Sequence, residues 1–176
     1  MPVYSTSFDS DNISIGPCYV FFKGNHIGHT YGGVTVTVTQ NTYELKSDQY
    51  GETPVRVLDA GLVLEATVNM TEATFANLKI LFASATDVST YLTFGKPVGE
   101  SIDTGELLLE PIDGSEIWQI YNAAPNVGGA IEIAYTTDNQ RVYACRFVGL
   151  IDDSRTSGDQ LFRIAPAANL ADLGSA

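Results

Sequence analysis

Basic residues are scarce in this chain, which sets 9 Lys and Arg against 21 Asp and Glu over 176 residues, a formal charge of −12. No basic cluster is present to displace phosphate counterions, which excludes the usual electrostatic route to nucleic-acid binding. Cysteine is almost missing as well. Cys18 and Cys145, one near each end, are too few for a disulfide framework and are expected to be small, buried and unbridged. No apolar run approaches the roughly 20 residues that a membrane helix needs, so insertion into a membrane is not expected. Met1 to Gly16 is too polar for a secretion signal, and the expectation is a chain made and folded in a cytosol. On that basis the glycan-acceptor patterns at Asn12-Ile-Ser14 and Asn69-Met-Thr71 are read as chance matches.

The residues of catalysis are thin too. No serine sits in a nucleophile elbow, neither cysteine lies near a histidine in sequence, and the dispersed carboxylates lack the spacing of a metal loop. Neither an enzyme nor a cofactor is expected, although paired carboxylates for glycoside hydrolysis could only be recognised by geometry. His26-Ile27-Gly28-His29 spells the tetrapeptide by which one class of aminoacyl-tRNA synthetases binds ATP. The surroundings contradict that use, because the neighbouring periodicity is β and no lysine-rich partner loop follows. Histidines three apart on a strand also point to opposite faces, which argues against a metal pair.

What the chain does have is β patterning, and its 44% hydrophobic content can fill a core for a single domain over residues 1–176. Val34, Val36 and Val38 alternate with Thr35, Thr37 and Thr39, which predicts a strand with one apolar and one hydroxyl-bearing face. Leu62, Leu64, Ala66, Val68 and Met70 repeat the pattern in a second long strand. Between them Lys46 to Arg56 reads as a polar loop too long for a tight turn, with Gly51 and Pro54 shaping its backbone. A loop that keeps Tyr50 beside Asp48, Glu52 and Arg56 has the composition of a docking arm.

Residues 1–16 read as a polar arm, Pro17 to Lys23 as a short strand, and Gly24-Asn25 as a turn. One helix is predicted over Thr71 to Ser84, with Thr71 as its cap and Glu72 in its first turn. Phe75, Leu78, Leu81 and Phe82 form one apolar stripe and Ala76, Ile80 and Ala83 a second, leaving Glu72, Asn77, Lys79 and Ser84 for water. Such a helix either sinks into its own domain or meets another subunit, with Phe75, Leu78, Ile80 and Phe82 as the candidate interface. Downstream, Ser89 to Phe94, Leu107 to Pro111 and Ile117 to Tyr121 are strand-like, and Ala123 to Gly129 is read as a loop. Ile131 to Tyr135 and Val142 to Val148 are expected to pair as a terminal hairpin, before a last strand at Gln160 to Ile164 and a tail over 166–176. The fold class is therefore mostly β: an antiparallel sandwich- or barrel-like domain with one flanking helix.

Several stretches together resemble one family. Gly32-Gly-Val-Thr-Val-Thr37, Asp48-Gln-Tyr-Gly51, Thr53-Pro-Val55 and Met70-Thr-Glu-Ala-Thr-Phe-Ala-Asn-Leu78 occur in the order of the opening strand, loop and helix of phage tail tube proteins. Ile131 to Tyr135, Val142 to Phe147, Asp152-Asp153 and Gly158 to Phe162 resemble that family's closing hairpin and last strand. The chain is thus similar to the tail tube, or major tail, proteins of tailed bacteriophages, outside the stretch from Ser84 to Ala124.

The resemblance implies hexameric rings that stack into the hollow tube of a virion tail, built in the bacterial cytoplasm together with other tail proteins. DNA would pass through without specific binding, along an acidic wall to which Glu44, Glu65 and Glu132 are candidate contributors. The resemblance also implies that the loop holding Asp48, Gln49, Tyr50, Gly51, Glu52, Pro54 and Arg56 reaches over a neighbouring subunit or ring. Two other readings stay open. One is a β-sandwich binding module for carbohydrate or protein, with Tyr19, Tyr91, Trp118 and Tyr121 as a stacking platform. The other is a terminator-type ring that does not stack.

Overall fold

The computed structural model describes residues 16–88, 90–126, 131, 133 and 135–166. Most of residues 1–16 and 166–176, together with Glu132, therefore lie outside the described residues. The chain folds as a mostly antiparallel β domain of the sandwich- or barrel-like kind with one short flanking helix, as its alternating patterns predict. Strands β1 (Cys18–Phe22), β2 (Asn25–His26), β3 (Thr30–Lys46), β4 (Pro54–Met70), β7 (Gly105–Pro111), β8 (Glu116–Pro125) and β9 (Tyr143–Leu150) form one sheet in the order β2-β1-β7-β8-β9-β4-β3. Strand β10 (Phe162–Pro166) joins it along β8, while β5 (Thr86–Val88) and β6 (Tyr91–Thr93) make a separate hairpin.

The core lies on one face of this sheet. Val20, Leu64, Ala66, Val68, Leu107, Ile120, Cys145 and Phe147 are fully enclosed there, each from the inward-pointing half of an alternating strand. Tyr143, Cys145 and Phe147 share that face as their spacing predicts. Burial pushes the Cys145 thiol up to about 12 and the half-buried Cys18 thiol up to about 11, and both are free.

Three boundaries differ from expectation, each for a physical reason. Strand β4 begins at Pro54 instead of Leu62, so the predicted loop over 46–56 shrinks to Ser47–Thr53 and Lys46, Pro54 and Arg56 belong to strands. The register explains why the pattern hides this: Gln40 faces Leu62 but Thr42 faces Asp59, so β4 carries one extra residue in between. Gly61 accommodates the bulge with a φ of 101°, and its amide donates to the Asp59 carboxylate at 2.9 Å. The apolar alternation of Val55 and Val57 is thereby put out of phase with that of Leu62 to Met70.

Ala123 to Pro125 are strand and not loop, because Ala123, Ala124 and Pro125 sit opposite Gly149, Val148 and Phe147 of β9. Small side chains of low strand propensity are held there by tertiary packing. The expected hairpin between Ile131–Tyr135 and Val142–Val148 is not formed by the described residues. Strand β9 pairs instead with β4 and β8, and Ile131 and Ile133 pack against the core outside any strand.

The helix is shorter than its pattern suggests. Helix α1 spans Phe75–Leu81 and is capped by Thr74, whose hydroxyl accepts from the Asn77 amide at 3.2 Å. Thr71 and Glu72 precede it and hold the β2–β3 connection: the Thr71 hydroxyl donates to the His29 carbonyl, and the Glu72 carboxylate accepts from the His29 amide at 3.0 Å. Asn77, expected to face water, is buried. Its amide nitrogen donates to the carbonyls of Ile27 at 2.6 Å and Glu72 at 3.0 Å, so it ties the helix to the sheet. The His26-Ile-Gly-His29 stretch is thus a structural seam, with Gly28 at a φ of 93° leaving room for the Glu72 carboxylate.

Replacing Asn77 by alanine leaves the buried Ile27 carbonyl without this donor, and the expected loss of stability is about 1–3 kcal/mol. Urea unfolding of the variant should show a lower midpoint at unchanged slope; an unchanged midpoint would contradict the anchoring role of this side chain.

Candidate assembly surface

The outer half of the β3–β4 hairpin leaves the body of the protein. Strand β9 accompanies β4 only from Glu65 to Met70, and from Leu64 outward β4 has β3 as its sole sheet neighbour. At about 3.3 Å per residue the stretch from Leu64 to Pro54 projects roughly 30 Å. Alternating burial stops at the same place: Leu64 is fully enclosed, whereas Leu62 and Val63 are exposed.

This ribbon is unusually apolar for a free element. Tyr43 faces Leu58 across it, Leu45 faces Arg56 and Val57 faces Glu44. Tyr43 is 62% exposed, Val55 58% and Val57 56%. At the tip, Tyr50 is 68% exposed and forms a shallow cup with Thr53, Pro54 and Val55. The tip itself is ordered by the Tyr50 amide donating to the Ser47 carbonyl at 2.9 Å, by Gly51 at a φ of 64°, and by the Lys46–Glu52 ion pair at 2.6 Å. Asp48, Gln49, Tyr50, Gly51 and Glu52 are thus brought together on one tip, with Pro54 and Arg56 on the strand just behind it.

Strand β3 also forms the long edge of the sheet. It is bonded to β4 alone, it contains no proline, and no charged residue occurs in it before Glu44. Short strands, prolines and edge lysines normally discourage pairing with another chain, and β3 has none of these over most of its length. The opposite edge, β2, is two residues long.

Among the described residues, the acidic candidates Glu44 and Glu65 stand apart on the sheet. Glu44 lies out on the ribbon, and Glu65 is neutralised by Arg146, whose Nε donates to its carboxylate at 3.0 Å. Glu132 lies outside the described residues. The polar face of β7 instead presents Glu106 and Glu110, which the alternation with Leu107 and Leu109 would have disclosed. Glu106 accepts a hydrogen bond from Gln119, whose carbonyl accepts from Arg163 at 2.7 Å.

The helix candidates separate in the same way. Phe75 is 60% exposed, while Leu78, Ile80 and Phe82 are half-buried against the core. Of the aromatic candidates, Trp118 is stacked on Phe162 at 5.7 Å, Tyr121 lies under the Arg155 guanidinium at 3.6 Å, and Tyr19 and Tyr91 are exposed. Among the described residues no group of three His, Cys, Asp or Glu side chains could hold a metal ion, and no helix is long and apolar enough to cross a membrane. No family model matches this chain, and no curated protein matches it.

The turn between β9 and β10 closes over the polar face of β8. The Asp152 amide donates to the Gln160 carbonyl at 2.9 Å, and Arg155 pairs with Asp152 at 3.4 Å and Asp159 at 3.9 Å. Burial, together with the hydroxyl's bond to the Asp159 carboxylate, raises Tyr121 from its ordinary 10.0 to about 12. The folded state favours the neutral phenol, so its contribution to stability is fully present below pH 10 and is lost as pH rises from 10 through about 12. In a Tyr121→Phe variant the alkaline limb of the stability profile should be shallower across that window. An unchanged limb would show that the phenol does not couple to folding.

Proposed function

We propose that this chain is a structural protein that self-assembles through its β3–β4 ribbon and the free edge of β3 into stacked, hexameric rings, forming the tail tube of a tailed bacteriophage. The observation that carries the proposal is the ribbon: a projecting two-stranded element with Tyr43, Leu45, Tyr50, Val55 and Val57 in water. An isolated two-stranded hairpin is marginal by itself, and exposed apolar surface of this kind marks an interface. The resemblance to tail tube proteins supplies the form of the assembly, and Asp48-Gln-Tyr-Gly51, one of the stretches that carries it, occupies the ribbon tip. A charge of −12 suits a conduit that DNA must traverse without being held, since an acidic wall offers no counterion release.

Electron microscopy of the purified protein at rising concentration tests the proposal. Rings and tubes are expected; persistent monomers would favour the binding module, and rings that never stack a terminator. Replacing Ser47–Thr53 by a two-residue turn should leave circular dichroism intact and abolish tubes, because loop-closure entropy changes little with such shortening. Tyr50→Ala should give a milder form of the same defect, and normal tubes from the shortened variant would overturn the role of the tip.

A further inference from the structure

Three of the four lysines of this acidic chain, Lys23, Lys79 and Lys96, border one continuous groove beside α1; the fourth, Lys46, is on the ribbon. One end of the groove is a cavity of about 720 Å³ between Lys79, Lys96, Ser101 and Thr104. The other end, about 410 Å³, is walled by Phe22, Ile80 and Pro125, and the two share Lys79, Ala83 and Asp103. Lys23 is paired with Asp103, and Lys79 stands 4.0 Å from Asp87. Lys96 is exposed and has no ion-pair partner among the described residues.

We infer, on the reading of the chain as a tube-forming protein, that this groove receives the ribbon tip of a second copy, with Asp48 against Lys96 and Lys79 and the Tyr50 ring on the Phe22–Ile80 wall. The tip has the matching chemistry: an exposed aromatic ring and an acidic Asp48 without an ion pair among the described residues. The same chain cannot supply it. Strand β4 runs from the tip at Pro54 to Met70, and α1 follows at Phe75, so the tip and the groove stand at opposite ends of a 17-residue strand. That strand is roughly 50 Å long and its hydrogen-bonded ladder does not fold back. A knob at one end and its socket at the other make a heterologous contact, which closes into a ring if its rotation closes and otherwise propagates along an axis.

Zero-length carbodiimide coupling, which joins carboxylates to amines already in contact, tests this on the unmodified protein. Assemblies made from mixed isotope-labelled and unlabelled chains should yield mixed-label links from Asp48 to Lys96 or Lys79. Lys96→Glu and Asp48→Lys should each raise the concentration needed for assembly about tenfold, the combination of both should restore it, and added salt should weaken wild-type assembly. Assemblies that lack these links, or that ignore both charge reversals, would overturn the socket while leaving the tube reading in place. A wild-type chain that never associates at any concentration would overturn the tube reading first, and the socket with it.

Discussion

The pairing of β4 with β3 is the constraint on which the rest of the molecule depends. The inner half of β4 is flanked by β3 on one side and β9 on the other, and its side chains Leu64, Ala66, Val68 and Met70 are removed from water almost completely. Burying the larger of these side chains contributes about 1.5–3 kcal/mol each. The outer half has the same ladder and none of the burial. Its order derives from continuity with the inner half, and its exposed valines and tyrosines leave free energy to be gained only by contact with another surface.

The same strand also divides the two ends of the protein. At its far end is the tip with Tyr50 and Asp48, and at its near end the chain passes through Thr71 and Glu72 into α1. The hydrogen bonds of Asn77 to Ile27 and of Glu72 to His29 fix that end rigidly against the β1–β2 hairpin. The ribbon thus projects from a base that a seam of hydrogen bonds holds in place.

Charge follows a comparable division. Acidic groups predominate over the chain as a whole, yet three of the four lysines gather beside α1, and two of the arginines are paired where they fall: Arg146 with Glu65, and Arg155 with Asp152 and Asp159. Arg155 and its carboxylates serve to close the β9–β10 turn over Tyr121. Acidity on this protein is therefore partly internal pairing and partly free surface, and the two kinds cannot be told apart by counting residues.

The sequence by itself determined the β class and the apolar faces of the inner half of β4 and of β9, because alternation is a local property. Tertiary structure decided what local patterns cannot express. One extra residue at Ala60–Gly61 puts the two halves of β4 out of phase, so in sequence Pro54 to Arg56 resembles loop more than strand. Partners remote in sequence turned Ala123 to Pro125 into strand, drew Asn77 inward to Ile27, neutralised Glu65 with Arg146, and gathered Lys23, Lys79 and Lys96 along one groove. Each of these is a contact between residues more than 15 positions apart, and side-chain chemistry at one position carries no record of which distant neighbour the fold will bring to it.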